Sequence, residues 1–396
     1  MTYMKGEAQV KNNFYCFIKK NNAIRPFSFF IVIIICLASL TTSAQDFPVE
    51  YQPDSSFLNQ LFGHKEKKFK ITPLPYIGYL PETKILGGAA LLLTGRLSKD
   101  STLPFSYSEL TFTYTQNRQA ILENDIFLYI GHHYILKGLL GYEKYPDRYW
   151  GIGPNTKTNA EERYDSQRIF ANMAFLRKIK GRFYAGIKYR LVYMYNMQHL
   201  SGTNSLTAEQ YKGSLSNGFG VAMIYDSRDN ILTPSKGFYF GLLNPNFGRM
   251  TGSSHSFSVV ELDIRKFVRL NSKQVLAFQM TGNYVMGNPP FGMYAMLGSD
   301  MDMRGYYRGR FRDKDFMSVQ AEYRRYLFWR IGAAAFAGLG NVNNNLGHLI
   351  SNVPKYSIGG GLRLKLNRKE NINLRMDYAF GNAPNSGLYI FLSEAF

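Results

Sequence analysis

Thiols are almost missing from this 396-residue chain. Its two cysteines, Cys16 and Cys36, both lie near the start, so the remainder has no disulfide framework and no cysteine metal site. Histidine is scarce too: His64, His132, His133, His199, His255 and His348 are dispersed without an HExxH pattern. The adjacent pair would point to opposite faces of an extended segment. Neither a GxSxG elbow nor a Walker loop occurs, and Gly359, Gly360 and Gly361 sit in strand context with no helix to follow. These absences speak against a metal, a cofactor and an enzyme. Long apolar runs are also lacking: beyond Leu40 no stretch reaches the roughly 18 apolar residues a spanning helix requires.

The one apolar run, Phe27 to Leu40, follows Lys11, Lys19, Lys20 and Arg25 and is broken by "TTSAQD". With Thr42 and Ala44 ahead of Gln45, this reads as a secretory signal peptide over residues 1–44. Cys36 follows the bulky Ile35 and reads as a spacer inside the run. Acidic residues are outnumbered, 28 against 47 Lys and Arg; one acid and five bases precede Gln45, leaving 27 against 42. In an exported chain this basic excess suits acidic headgroups or a basic pore lining better than nucleic acid.

What is abundant is alternation. In "RFYAGIKYRLVYMYNM", Phe183, Ala185, Ile187, Tyr189, Leu191, Tyr193 and Tyr195 share one face, while Arg182, Lys188, Arg190 and Asn196 share the other. Met317, Val319, Ala321, Tyr323 and Leu327 alternate with Ser318, Gln320, Glu322 and Arg324. Ile372, Leu374, Met376, Tyr378 and Phe380 alternate with Asn373, Arg375, Asp377 and Ala379. Period two with one greasy and one charged face describes a strand between two solvents. A soluble sandwich alternates as well. Strands of about ten residues, the 29 Tyr and 30 Phe and the export signal favour a transmembrane antiparallel β-barrel. Residues 45–70 then form a short periplasmic tether or plug, and residues 71–396 hold about 16 strands at roughly 20 residues per strand and turn.

Four segments occur in a telling order: "YWGIGPNT" at 149–156, "YDSRDN" with Pro234 and Gly237 behind it, "MRGYYRG" at 303–309, and "LRMDYAFG" followed by "SGLYIFLSEAF" at the end. By itself the second is a hairpin in which Asp226, Arg228 and Asp229 can pair across a polar turn. Together the four resemble the barrels of the BamA/TamA outer-membrane assembly family. The resemblance implies a 16-stranded barrel in a Gram-negative-type outer membrane, whose sixth extracellular loop tucks inward. Arg304, Gly305 and Tyr306 would be its tip, and Phe396 the terminal aromatic by which the assembly machinery reads a last strand.

Two departures qualify what the resemblance implies. The family commonly carries Phe-x-Asp-x-Gly on a following strand, its Asp holding the loop arginine; here Phe336-Ala337-Gly338-Leu339-Gly340 has no acid. The alternation places Glu322 and Asp377 on the polar face, so one or both are expected to receive Arg304. Residues 45–70 are also too few for the POTRA domains that capture clients in the family. The implied function is insertion or translocation of proteins or lipids, with outer-membrane lipid and envelope-assembly or POTRA-bearing proteins as partners. The alternatives are an anion-preferring channel lined by Arg182, Lys188, Arg190, Arg324, Arg363 and Lys365, or a structural subunit of an envelope complex.

Overall fold

The computed structural model describes residues 69–97, 106–231, 233–367 and 372–396. The signal-peptide reading and nearly all of the tether reading lie outside those residues; Phe69 and Lys70 open the first strand.

The described chain is almost entirely strand: β1 (Phe69–Leu80), β2 (Lys84–Gly95), β3 (Ser106–Thr115), β4 (Ala120–Ile130), β5 (Tyr134–Lys144), β6 (Asp147–Tyr149), β7 (Glu162–Lys180), β8 (Phe183–Gly202), β9 (Ser214–Asp226) and β10 (Gly237–Phe247). There follow β11 (Phe257–Asn271), β12 (Gln274–Gly287), β13 (Ala295–Leu297), β14 (Phe311–Asp313), β15 (Asp315–Phe328), β16 (Ile331–Asn343), β17 (Lys355–Asn367), β18 (Ile372–Gly381) and β19 (Ser386–Leu392). Each pairs antiparallel with its neighbour, and β1 meets β19 to close the sheet. Because β6 prolongs the β5 stave along β7, the barrel has sixteen staves. Closure satisfies a backbone that hydrocarbon cannot. β13 and β14 form a separate ribbon within the longest connection, residues 288–314.

Alternation sets the two faces. On β8, Ile187 and Tyr193 are exposed on the outside while Lys188 and Met194 are buried within. β7 and β8 run to 19 and 20 residues, about twice what a bilayer crossing needs, so their paired ends stand clear of the membrane. Short turns at 131–133, 181–182, 272–273 and 329–330 share one end with the start of β1 and the end of β19. The longer connections 145–161, 203–213, 248–256, 288–314 and 344–354 gather at the other, the loop end.

The last strand does not reach the C-terminus. β19 stops at Leu392, and Ser393 takes a left-handed φ of 68°, which turns Glu394, Ala395 and Phe396 into the lumen. Phe396 therefore packs with Phe267 and Ala277, on β11 and β12, and does not extend the β19 ladder.

Candidate functional site

The connection 288–314 enters the barrel because its own sequence can fold back. Ala295, Met296 and Leu297 pair with Asp313, Arg312 and Phe311, and left-handed backbone at Gly298 (φ 99°), Met303 (φ 49°), Gly305 (φ 105°) and Gly309 (φ 76°) bends what lies between. Leu297, Met303, Tyr306 and Phe311 then cluster with Phe316 of β15 and Val342 of β16. Gly305 must be glycine on two counts: its φ is positive, and a Cβ there would lie 2.8 Å from the Phe380 carbonyl carbon.

At the tip, Arg304 is fully buried. Its Nη2 donates to Glu322 Oε2 and its Nη1 to Asp377 Oδ2, each at 2.5 Å. The guanidinium also lies 3.4 Å from the centre of the Phe336 ring, and its Nε, above that ring, has no acceptor. Glu322 and Asp377 are shared. Arg324 Nε donates to Glu322 Oε1 at 2.6 Å, and Arg363 reaches Asp377 Oδ1 at 2.5 Å and Glu322 Oε1 at 3.3 Å. Arg363 Nε adds Glu394 at 2.6 Å, and Arg375 pairs with Asp300 of the loop at 3.0 Å. Four arginines thus pair with four side-chain carboxylates inside the lumen. Such a cluster holds only because every charge is partnered and hydrogen-bonded.

Backbone and hydroxyl contacts fix the tip further. The Gly305 N–H donates to the Tyr389 hydroxyl at 2.7 Å, and the Ser357 hydroxyl donates to the Arg304 carbonyl. The Tyr306 hydroxyl accepts from the Asn382 N–H at 2.7 Å and faces the Tyr356 carbonyl and Asn382 Oδ1. Burial pushes that phenol up to about 12.

On the ascending limb the Arg308 N–H donates to Glu82 at 2.5 Å, in the β1–β2 turn. Burial pushes the Glu82 carboxyl up to about 7 against that bond, and burial likewise pushes Asp302 up to about 6. Arg310 donates to Thr156 and lies 5.2 Å from the Trp150 ring centre. Gly153 bridges to Arg312. The "YWGIGPNT" segment therefore packs along the loop's ascending limb.

The hairpin motif belongs to the turn end. Arg228 forks onto Asp226 with contacts of 3.0 and 2.7 Å, whereas Asp229 pairs with Arg269 of β11 at 2.8 Å and caps Ser235 and Lys236. Asp229 thus bonds across its own turn, to the Ser235 and Lys236 N–H groups, and adds an ion pair with β11. The Pro234 carbonyl accepts from Arg324 at 3.3 Å, and Gly237 has φ 116° where a Cβ would strike the Ser227 carbonyl oxygen. Arg324 also donates to the main-chain oxygen of Phe396, the last residue, at 2.9 Å. One arginine thus joins the hairpin motif, the C-terminus and the loop's acid.

Sequence reasoning passed over Glu394 and Arg375 as members of the cluster, and placed Arg363 in a channel lining. A parity count marks the two arginines as lumenal; only the fold shows what they face. Among the described residues no cluster of His, Cys, Asp or Glu suits a metal ion.

An Omp85 superfamily domain matches residues 92–396. Among solved structures the chain is similar to BamA from Haemophilus ducreyi lacking POTRA domains 1-3, at TM-score 0.55 and 14% identity over 83% of this chain and 70% of that one. It is also similar to CdiB from Acinetobacter baumannii, at TM-score 0.53 and 12% identity over 83% of this chain and 60% of that one. No curated protein matches the sequence.

Proposed function

Because this chain belongs to the Omp85 superfamily and forms an outer-membrane β-barrel, we propose that it assists insertion or translocation of proteins or lipids at the outer membrane through the junction of its first and last strands. The observation that carries this reading is the junction itself. β18 and β19 are paired from Leu374↔Leu392 to Phe380↔Ser386, and β1 and β2 along their whole length. β1 and β19 share a single registered pair, Tyr79↔Ile390. Unpaired strand edge is costly in hydrocarbon, so this junction is the weakest line in the wall and the place where it parts at least cost. The Arg304 cluster ties the loop to β15, β17 and β18 beside it, bracing the wall while the junction moves.

The channel alternative has less support. Arg324 and Arg363 are neutralised in the cluster and Arg190 pairs with Glu261, so half of the basic lining expected to select anions is already compensated.

Tyr79→Cys/Ile390→Cys places two thiols at directly opposed positions, in a chain whose other cysteines, Cys16 and Cys36, precede Gln45. Oxidation should abolish assembly of a test barrel into liposomes, and reduction should restore it. Full activity of the oxidised form, with the disulfide verified by mass, would refute the reading.

A further inference from the structure

The lower part of the β1 edge carries an unusual pair of residues, Pro73 and Pro75. Their register with Leu91 and Ala89 on β2 decides where they matter. In an antiparallel ladder, opposed residues alternate between exchanging both hydrogen bonds and exchanging neither. Proline has no N–H, so the pairs with Leu91 and Ala89 are of the second kind. Thr72, Leu74 and Tyr76 therefore bond to β2, while Ile71, Pro73, Pro75, Ile77 and Tyr79 aim their backbone groups away from β2, at the junction with β19. Tyr79 having Ile390 as its partner agrees with this phase. At two successive positions the junction edge thus offers a carbonyl and no donor.

The opposite strand withdraws from the same place. Extending the Tyr79↔Ile390 register would set Pro75 opposite Glu394 and Pro73 opposite Phe396. Neither is there: the chain turns inward at Ser393, Glu394 goes to Arg363 and Asn373, and Phe396 crosses to Phe267. Both sides of the gap are specified by residues, one by imino acids and the other by an ion pair and a buried ring.

We propose that this stretch of the β1 edge is closed to strand addition and is filled by a phospholipid whose headgroup carries N–H or O–H donors. An incoming strand in register would meet a pyrrolidine ring in place of a donor at both positions. Bare carbonyls in a bilayer require a donor. On the lumenal side the turned-in C-terminal residues flank the gap; on the other side the side chains of Ile71 and Ile77 are exposed. The inference rests on the junction being the working site and names what occupies its turn-end half.

The test uses the mature protein in nanodiscs, wild type beside Pro73→Thr/Pro75→Thr, with heat-modifiable gel mobility verifying that both are folded barrels. One probe is a synthetic peptide of residues 386–396; the other is native mass spectrometry after equilibration with phosphatidylethanolamine or with phosphatidylcholine, whose headgroup has no donor. Wild type should hold phosphatidylethanolamine at least tenfold over phosphatidylcholine and bind the peptide at least tenfold more weakly than the double variant. Equal peptide binding by the two proteins would overturn the closed edge, and equal retention of the two lipids would show water in the gap and overturn the lipid. The disulfide test of insertion is separate, since a barrel locked at Tyr79 and Ile390 keeps the Pro73–Pro75 edge unchanged.

Discussion

Arg304→Ala tests whether the loop is held by charge. The substitution removes two charge-assisted bonds of 2.5 Å and the contact with the Phe336 ring. Each such bond contributes about 1.5–3 kcal/mol and the ring contact about 1 kcal/mol. The carboxylates left behind keep partners: Glu322 retains Arg324 at 2.6 Å and Arg363 at 3.3 Å, and Asp377 retains Arg363 at 2.5 Å. The variant therefore escapes the full penalty of an orphaned buried charge, and the loss should sit near the lower end of the roughly 3–5 kcal/mol measured when buried pairs are broken. At about 1.4 kcal/mol per factor of ten, the undocked loop should become about a hundredfold more populated. Asp377→Ala should cost more, because it strips a partner from Arg304, Arg363 and Arg375 together. Arg304→Lys should fall between wild type and Arg304→Ala, since an ammonium lacks the planar fork that spans two carboxylates. Hydrogen exchange of residues 299–312 in nanodiscs reads the population directly. Loop amides in Arg304→Ala that exchange within threefold of wild type, or an Asp377→Ala loop better protected than Arg304→Ala, would refute the reasoning.

Docking should also depend on pH through the loop's own surroundings. Burial raises Glu82 from 4.5 to about 7 and Asp302 from 3.8 to about 6, so the docked state binds protons more tightly than the free loop. Stability is then greatest at low pH and falls as pH climbs from the free values through 6 and 7, by about 3 kcal/mol at most for Glu82. Exchange of the same amides from pH 5 to 8.5, corrected for intrinsic rates, should show protection declining, and Glu82→Gln should flatten the upper part of the curve; a flat wild-type profile would count against it. Restoring the family's missing acid should hurt: a Cβ at Gly338 would lie 3.1 Å from Gln320 Cβ and 3.5 Å from Met303 Sδ, and an added carboxylate would unbalance the cluster. Gly338→Asp should therefore lower the melting temperature of the loop-docked barrel, and a rise would show that the acid was merely lost.

How much of this was legible in the sequence follows from the range of each signal. Period-two alternation is local, and it suffices to put Glu322, Arg324, Arg375 and Asp377 on an inward face, because parity on a strand needs no knowledge of other strands. Which arginine meets which carboxylate depends on the stagger of sixteen staves, and no local pattern carries that. Glu394 is the instructive case: next to the last strand it looks like a poor ending for a ladder, and it is one, since the ladder has already stopped at Leu392. The vacant acid position on β16 has a similar physical cause. Gly338 and Gly340 leave a shallow trough in the wall, and Met303, fully buried, fills it, with a Cβ at Gly340 falling 3.1 Å from Met303 Cγ. A side chain of the loop thus occupies the wall position where the resemblance implies a carboxylate, and the counter-charge for Arg304 comes from the flanking strands. Glycine in the wall, methionine in the loop and carboxylates on β15 and β18 form one linked arrangement, so changing any one of them alone should be worse than changing them together.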